Sequence, residues 1–115
     1  MAKLKPVLPT LRERKRYLVF EVISEHPVTF SSAKKAIWSA VLSFLGTSGT
    51  AQAGVWLLPE KYDQKTKRGI IRVSHTWVDR LKASLIFITT IDGYDVIVRS
   101  RGISGILKKA TIKFM

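Results

Sequence analysis

Apolar residues along the chain switch between strand spacing and helix spacing. Residues 16–24 are rich in Tyr, Val, Phe and Ile and stop before a His-Pro pair, which predicts a first strand. Apolar residues then recur at helical spacing over 33–45. Thr29 or Ser31 is the predicted cap of this helix, and Gly46 stands at its predicted end.

The second half of the chain repeats this pattern with one more strand. Residues 54–60 and 68–74 are predicted strands joined by a polar turn. A second helix is predicted to be capped by Ser74 or Thr76, and a last strand covers 94–101. The order strand, helix, strand, strand, helix, strand predicts an α+β fold of the ferredoxin-like, or RRM-like, type. Such a fold has a four-stranded antiparallel sheet with two helices on one face, so its other face is expected to be open.

The alternation of side chains predicts where the arginines of the last two long strands lie. If Val73, Val96 and Val98 face the helices, the residues between them emerge on or beside the open face. A register error of one residue would exchange the two sets. The arginines predicted on this face are Arg72, Arg99 and Arg101.

Composition and charge point to one folded domain with a polyanionic partner. The chain has 115 residues, of which 46% are hydrophobic, which suits a single core and excludes disorder. Residues 1–16 hold six basic residues and one acidic residue, and residues 99–115 hold five and none, so the two ends carry +10 of the formal charge of +12. We therefore predict a basic N-terminal arm over 1–15 and a single domain with a basic C-terminal segment over 16–115. Nucleic acid is favoured over a membrane as the partner.

Several kinds of site are disfavoured by the residues present. There is no cysteine, and neither His26 nor His75 has a second ligand at metal-binding spacing, so no metal site is predicted. No nucleophile motif or catalytic carboxylate pair is found either. The uncharged stretch 36–59 contains a Gly-Thr-Ser-Gly-Thr segment at 46–50, which argues against a membrane span. We expect a cytoplasmic protein, and the lack of asparagine favours a thermophilic source.

Two other segments allow alternative functions. The 46–50 segment is predicted to be a connection, and it is the one feature that would support a small-molecule-sensing domain. Trp56 is a candidate exposed residue at a protein interface.

In Arg68-Gly69-Ile70-Ile71-Arg72-Val73 the basic-Gly pair of RNA-recognition modules is present, but isoleucine and arginine replace the stacking aromatics. This pattern argues against stacking of single-stranded RNA on the sheet.

The C-terminal segment 98–109 has the chemistry of a phosphate-binding element. Arg99 and Arg101 leave one face of a strand, and Ser104 is the predicted cap of a short helix carrying lysines. Backbone N–H groups near glycine and at a helix N-terminus also favour phosphate. The candidate RNA contacts are Arg12, Arg14, Lys15 and Arg16 in or beside the arm, Arg68 and Arg72, and Arg99, Arg101, Ser104, Gly105, Lys108 and Lys109 at the end.

Four pieces of sequence, in this order, resemble one family over nearly the whole chain. They are 11–20 (Leu-Arg-Glu-Arg-Lys-Arg-Tyr-Leu-Val-Phe), 68–73 (Arg-Gly-Ile-Ile-Arg-Val), 91–93 (Ile-Asp-Gly) and 104–109 (Ser-Gly-Ile-Leu-Lys-Lys). Together they resemble the archaeal ribonuclease P protein component 2 family, of the Pop-five/Rpp-fourteen type.

The resemblance implies a non-catalytic subunit of the enzyme that removes 5′ leaders from precursor tRNA. In that family the RNA is the catalyst and uses Mg²⁺, and the protein itself binds no cofactor. The implied partners are the ribonuclease P RNA, precursor tRNA and a TIM-barrel protein subunit, with a homodimer inside a heterotetramer as a further possibility. An assembly module that binds protein without touching RNA is the alternative.

Overall fold

The computed structural model describes residues 14–115, which form six strands and three helices. Short 3₁₀ turns lie at Pro59–Lys61 and His75–Trp77. Among the described residues, no helix is long and apolar enough to cross a bilayer. The elements are β1 (Lys15–Ile23), α1 (Phe30–Ala53), β2 (Trp56–Leu57), β3 (Arg68–Ser74), α2 (Val78–Ile86), β4 (Thr90–Ile91), β5 (Tyr94–Asp95), β6 (Ile97–Ser104) and α3 (Leu107–Phe114).

Strand β1 lies inside an antiparallel sheet of order β2-β3-β1-β6. Helices α1 and α2 pack together on one face, where Leu18, Ile37 and Leu81 are completely buried in the main core. The predicted ferredoxin-like fold is therefore confirmed. Strands β4 and β5 form a separate two-stranded hairpin between α2 and β6.

Helix α1 is longer than the sequence predicts. The Thr29 hydroxyl accepts a hydrogen bond from the backbone N–H of Ser32, so Thr29 is the cap. Gly46 leaves the helical conformation, with φ of +78°, but the chain then resumes the helix as far as Ala53. The prediction of a loop over 46–50 is wrong because Gly46 produces a kink rather than an end. Burial of Thr50 and Ala53 outweighs the weak helix propensity of the segment.

The predicted second and last strands have different bounds in the structure. Strand β2 covers only Trp56–Leu57, because Pro59 begins a 3₁₀ turn and lacks the N–H that a continuing strand needs. The last strand extends to Ser104, beyond its predicted end. Helix α2 starts only after the turn His75–Trp77, and neither predicted cap holds its first turn. Strand β3 has the predicted bounds.

Helix α3 covers part of the sheet face that was expected to be open. Ala110 is fully buried there in a second, smaller cluster with Val19 and Ile70. Ser104 is not the helix cap: Ile106 occupies that position, and the Ser104 hydroxyl accepts a hydrogen bond from its N–H at 3.1 Å. The serine thus stabilises the turn that leads into α3.

The contact between Gly102 and α3 gives a stability prediction. A Cβ at Gly102 would overlap the Phe114 ring, so Gly102→Ala must displace α3 and lower the free energy of unfolding by about 1–3 kcal/mol. Gly105→Ala is the matched control, because a Cβ there meets only the flexible Arg16 side chain at 3.4 Å. Chemical denaturation of both variants measures the difference. Equal stability of the two variants would contradict the described docking of α3.

Candidate nucleic-acid interface

The sheet face that points away from α1 and α2 carries three rows of side chains across the strands. Leu18, Phe20 and Val22 of β1 point into the main core. The alternating residues Tyr17, Val19 and Glu21 therefore point to this outward face. Strand pairing aligns them with residues of β2, β3 and β6. The first row is Trp56, Arg72, Tyr17 and Ser104; the second is Leu58, Ile70, Val19 and Gly102; the third is Arg68, Glu21 and Arg99.

The third row is an ion cluster around one carboxylate. Glu21 accepts hydrogen bonds from Arg99 Nη2 at 2.9 Å, from Arg68 Nε at 3.2 Å and from Arg101 Nη1 at 3.4 Å. The Glu21 side chain is only 14% exposed. Because several charge-assisted bonds meet at a largely buried group, this cluster is stronger than an isolated surface pair.

A bulge in β6 adds the third arginine and a glycine to the outward face. Ser100 pairs with Phe20 of β1 and Gly102 pairs with Val19. Arg101 between them is therefore an extra residue with no partner in β1. Arg101 and Gly102 therefore lie on the same face, and Ile103 turns back towards the main core. The arginines predicted for this face from alternation do lie there, but the bulge could not be predicted.

Two of these arginines also hold the end of α3. Arg68 Nη1 donates to the Met115 carbonyl oxygen at 2.9 Å, and Arg101 Nε donates to that of Phe114 at 2.8 Å. The last carbonyl groups of a helix lack partners and favour cations. The arginines therefore contribute positive charge and fix α3 on the sheet at the same time.

The pKa of Glu21 is lowered by this environment. Burial alone would raise it, but hydrogen bonds from Arg99 and Arg68, together with the charges of both, outweigh the burial and lower the pKa from its ordinary value. The carboxylate is consequently charged in the folded protein at neutral pH.

The described part of the arm meets the C-terminal turn at the other end of the sheet. Arg16 Nη1 donates to the Lys15 carbonyl oxygen at 3.1 Å, and its guanidinium lies beside Gly105. The N–H of His75 donates to the Arg14 carbonyl oxygen at 2.7 Å, which anchors the chain before β1.

The described candidate residues thus fall into three groups: those around Glu21, those near the first row, and the lysines of α3. Arg68, Arg99 and Arg101 surround Glu21, while Arg72 and Ser104 lie in the first row, about 13 Å away along β1. Lys108 and Lys109 are exposed on α3, and Arg12 lies outside the described residues. The candidates near the first row are Arg14, Lys15, Arg16, Arg72, Ser104 and Gly105.

Three features of this face are not among the predictions from sequence, although the first two leave signals there. Glu21 is the one acidic residue in β1, and the pairing of strands places it opposite Arg68 and Arg99. Apolar residues at 107, 110 and 114 have the spacing of a helix that buries one side. The third feature is the pair of rings that neighbouring strands contribute, which the absence of an aromatic residue on β3 does not predict.

The two histidines were considered above as metal ligands, and both lie among the described residues. Over residues 14–115, no group of three or more His, Cys, Asp or Glu side chains is placed to hold a metal ion. His26 stacks on Tyr94 with ring centroids 3.7 Å apart, and His75 Nδ1 lies 3.3 Å from the backbone N of Arg14. Both contacts are structural.

Comparison with known proteins gives consistent matches. The model of the Rpp14/Pop5 family matches residues 16–115. "Ribonuclease P protein component 2" of Pyrococcus abyssi is 42% identical over 113 residues, covering 98% of this chain and 94% of the relative. The protein of the same name from Methanosarcina mazei is 39% identical over 112 residues, covering 97% and 93%. A chain in the cryo-EM structure of yeast ribonuclease MRP has the same fold, with a TM-score of 0.63, 16% identity and coverage of 88% and 86%.

The ion cluster leads to a prediction on stability and pH. Glu21→Gln should lower the free energy of unfolding at pH 7 by about 1–3 kcal/mol, because the arginines lose their shared carboxylate. The folded-state pKa is lowered, so the contribution is complete above the unfolded value of about 4.3 and is lost as the pH falls through the folded value. Denaturant unfolding should therefore show a constant gap between wild type and variant above about pH 5 that closes below pH 4.

Glu25→Gln is the matched control for this measurement. Glu25 is exposed just after β1, so its substitution should change stability by less than about 0.5 kcal/mol. A Glu21→Gln variant as stable as this control at pH 7 would show that the cluster does not support the fold.

Proposed function

The chain belongs to the Rpp14/Pop5 family, and from that premise we propose that it is a non-catalytic, RNA-binding subunit that supports the catalytic RNA of ribonuclease P. The family match and the full-length archaeal relatives identify the chain as a ribonuclease P protein component. In our proposal it assists the removal of 5′ leaders from precursor tRNA. The chemistry belongs to the RNA and its Mg²⁺, and this chain binds no cofactor of its own.

The observation that carries the RNA-binding role is the charge of the outward side. Strands β1, β3 and β6 together with α3 contain nine basic residues and one acidic residue, Glu21, and all of them except Arg16 lie on the outward face or on α3. Cations grouped on one side attract phosphates and reduce the repulsion between RNA segments that approach each other. Lys108 and Lys109 are exposed and, among the described residues, form no hydrogen bond or ion pair, so both remain available to phosphate.

The opposite side favours a second role, the binding of a protein subunit. Phe44 of α1 and Phe87 after α2 are exposed, with ring centroids 5.3 Å apart, and line a groove of about 440 Å³. Exposed aromatic rings in a groove are typical of protein interfaces. We propose this side for a protein partner such as the TIM-barrel subunit or a second copy of the chain. An assembly module that uses only this side is the alternative function.

The salt dependence of RNA affinity tests the proposed function. If about six phosphates are neutralised, log affinity should fall with log salt concentration with a slope of about −4 to −5. Fluorescence anisotropy with the ribonuclease P RNA at several salt concentrations measures this slope. A flat response would favour the assembly module.

A matched pair of double variants tests which side meets the RNA. Lys108→Ala with Lys109→Ala removes two exposed charges from α3 and should flatten the salt slope by about 1.4. Lys34→Ala with Lys35→Ala removes the same charge from the exposed side of α1 and should leave the slope nearly unchanged. Cleavage of precursor tRNA in the reconstituted enzyme, at limiting Mg²⁺, should decrease for the first pair alone. Equal effects of the two pairs would contradict binding through the outward side.

A further inference from the structure

The first row of the outward face brings aromatic rings to both sides of an arginine. Arg72 of β3 is paired with Trp56 of β2 on one side and with Tyr17 of β1 on the other. Neighbouring strands are about 4.8 Å apart, so the three side chains stand next to each other in a line across the sheet. Ser104 of β6 ends the line.

Trp56 and Arg72 of this row are exposed, while Tyr17 and Ser104 are half-buried and Tyr17 packs against the cluster beneath α3. The second row is covered by Ala110 and Phe114 of α3, and the third is closed by its own ion cluster. Trp56 is 53% exposed, whereas Trp38 and Trp77 are partly buried against the main core. The exposed Trp56 ring, next to Arg72, offers a flat surface on which a base can stack.

Arg72 differs from the other outward arginines in having no partner among residues 14–115. Arg68, Arg99 and Arg101 all bind Glu21. Arg72 is exposed, and within residues 14–115 its guanidinium makes no hydrogen bond, ion pair or ring contact. Its five donors are therefore available to an anion or to the edge of a base.

The surroundings favour an anionic ligand over an apolar one. Lys15 and Arg16 immediately precede Tyr17 on β1, and the Arg16 guanidinium lies beside Gly105, next to the end of the row. Proteins bind unpaired nucleotides by combining rings that stack on bases with arginines that contact phosphates. A protein partner would not need this concentration of positive charge.

We propose that Trp56, Arg72 and Tyr17 form a binding site for an unpaired nucleotide of the partner RNA. Trp56 or Tyr17 stacks on the base, and Arg72 donates to the adjoining phosphate or to the base edge. The inference rests on the proposed RNA-binding function and adds single-stranded RNA as the ligand of one defined row. It departs from the sequence-based expectation that single-stranded RNA does not stack on the sheet, since the rings come from β1 and β2 rather than from β3.

Affinity for a single-stranded RNA oligonucleotide and for an RNA duplex of equal length tests this site. Trp56→Ala should weaken binding of the single strand by about 5- to 100-fold, while duplex binding changes little. The slope of log affinity against log salt concentration should be the same for Trp56→Ala as for the wild type, because no phosphate contact is lost. Arg72→Ala should flatten this slope by about 0.7. Trp56→Phe, which keeps a ring, should retain most of the affinity.

Control variants and fluorescence complete the experiment. Ile86→Ala removes an exposed apolar side chain of α2, on the opposite side, and should leave both affinities unchanged. Binding of the single strand should quench tryptophan fluorescence in the wild type and much less in Trp56→Phe. Thermal unfolding of each variant checks that the fold is retained.

The outcomes separate this inference from the proposed function. Salt-dependent RNA binding that is equally strong in wild type and Trp56→Ala would overturn the nucleotide site and leave the subunit role standing. If Trp56→Ala spares single-strand binding but removes a protein subunit from the reconstituted complex, the row is a protein interface. Wild-type protein that binds RNA without salt dependence would reject the proposed function itself.

Discussion

The register of β1 against β3 and β6 decides which side chains fill the main core and which form the outward face. It places Leu18, Phe20 and Val22 in the main core and Glu21 on the outward face, between Arg68 and Arg99. A slip by one residue would turn Glu21 into the core, where an unpaired carboxylate is very costly. The single acidic residue of β1 therefore helps to specify the register, and the arginine cluster is a consequence of that register.

Helix α3 divides the outward face into parts with different roles. Its apolar side closes the second row, and the arginines of the third row bind its final carbonyl groups. Arginines that look equivalent in the sequence are therefore not equivalent in the structure. Arg68 and Arg101 are committed to Glu21 and α3, while Arg72 and the exposed lysines of α3 are not.

The regular spacing of apolar residues predicts the fold, whereas two local departures from it, a kink in α1 and a bulge in β6, are not predicted. Alternation along the strands predicted the ferredoxin-like arrangement and the face of Arg72, because burial enforces a period of two. Gly46 predicts a helix end from sequence but forms a kink, because glycine is compatible with both and tertiary packing decides between them. The bulge at Arg101 leaves no clear mark in sequence, so the position of Gly102 under Phe114 was not foreseen.

The proposed role requires that the outward face meet RNA and that the side formed by α1 and α2 remain free of it. Ultraviolet cross-linking of the reconstituted ribonucleoprotein, followed by peptide mass spectrometry, identifies the face in contact. RNA adducts are expected in peptides that contain Tyr17, Trp56 and the lysines of α3. Adducts confined to peptides around Phe44 and Phe87, with none on the outward face, would contradict it.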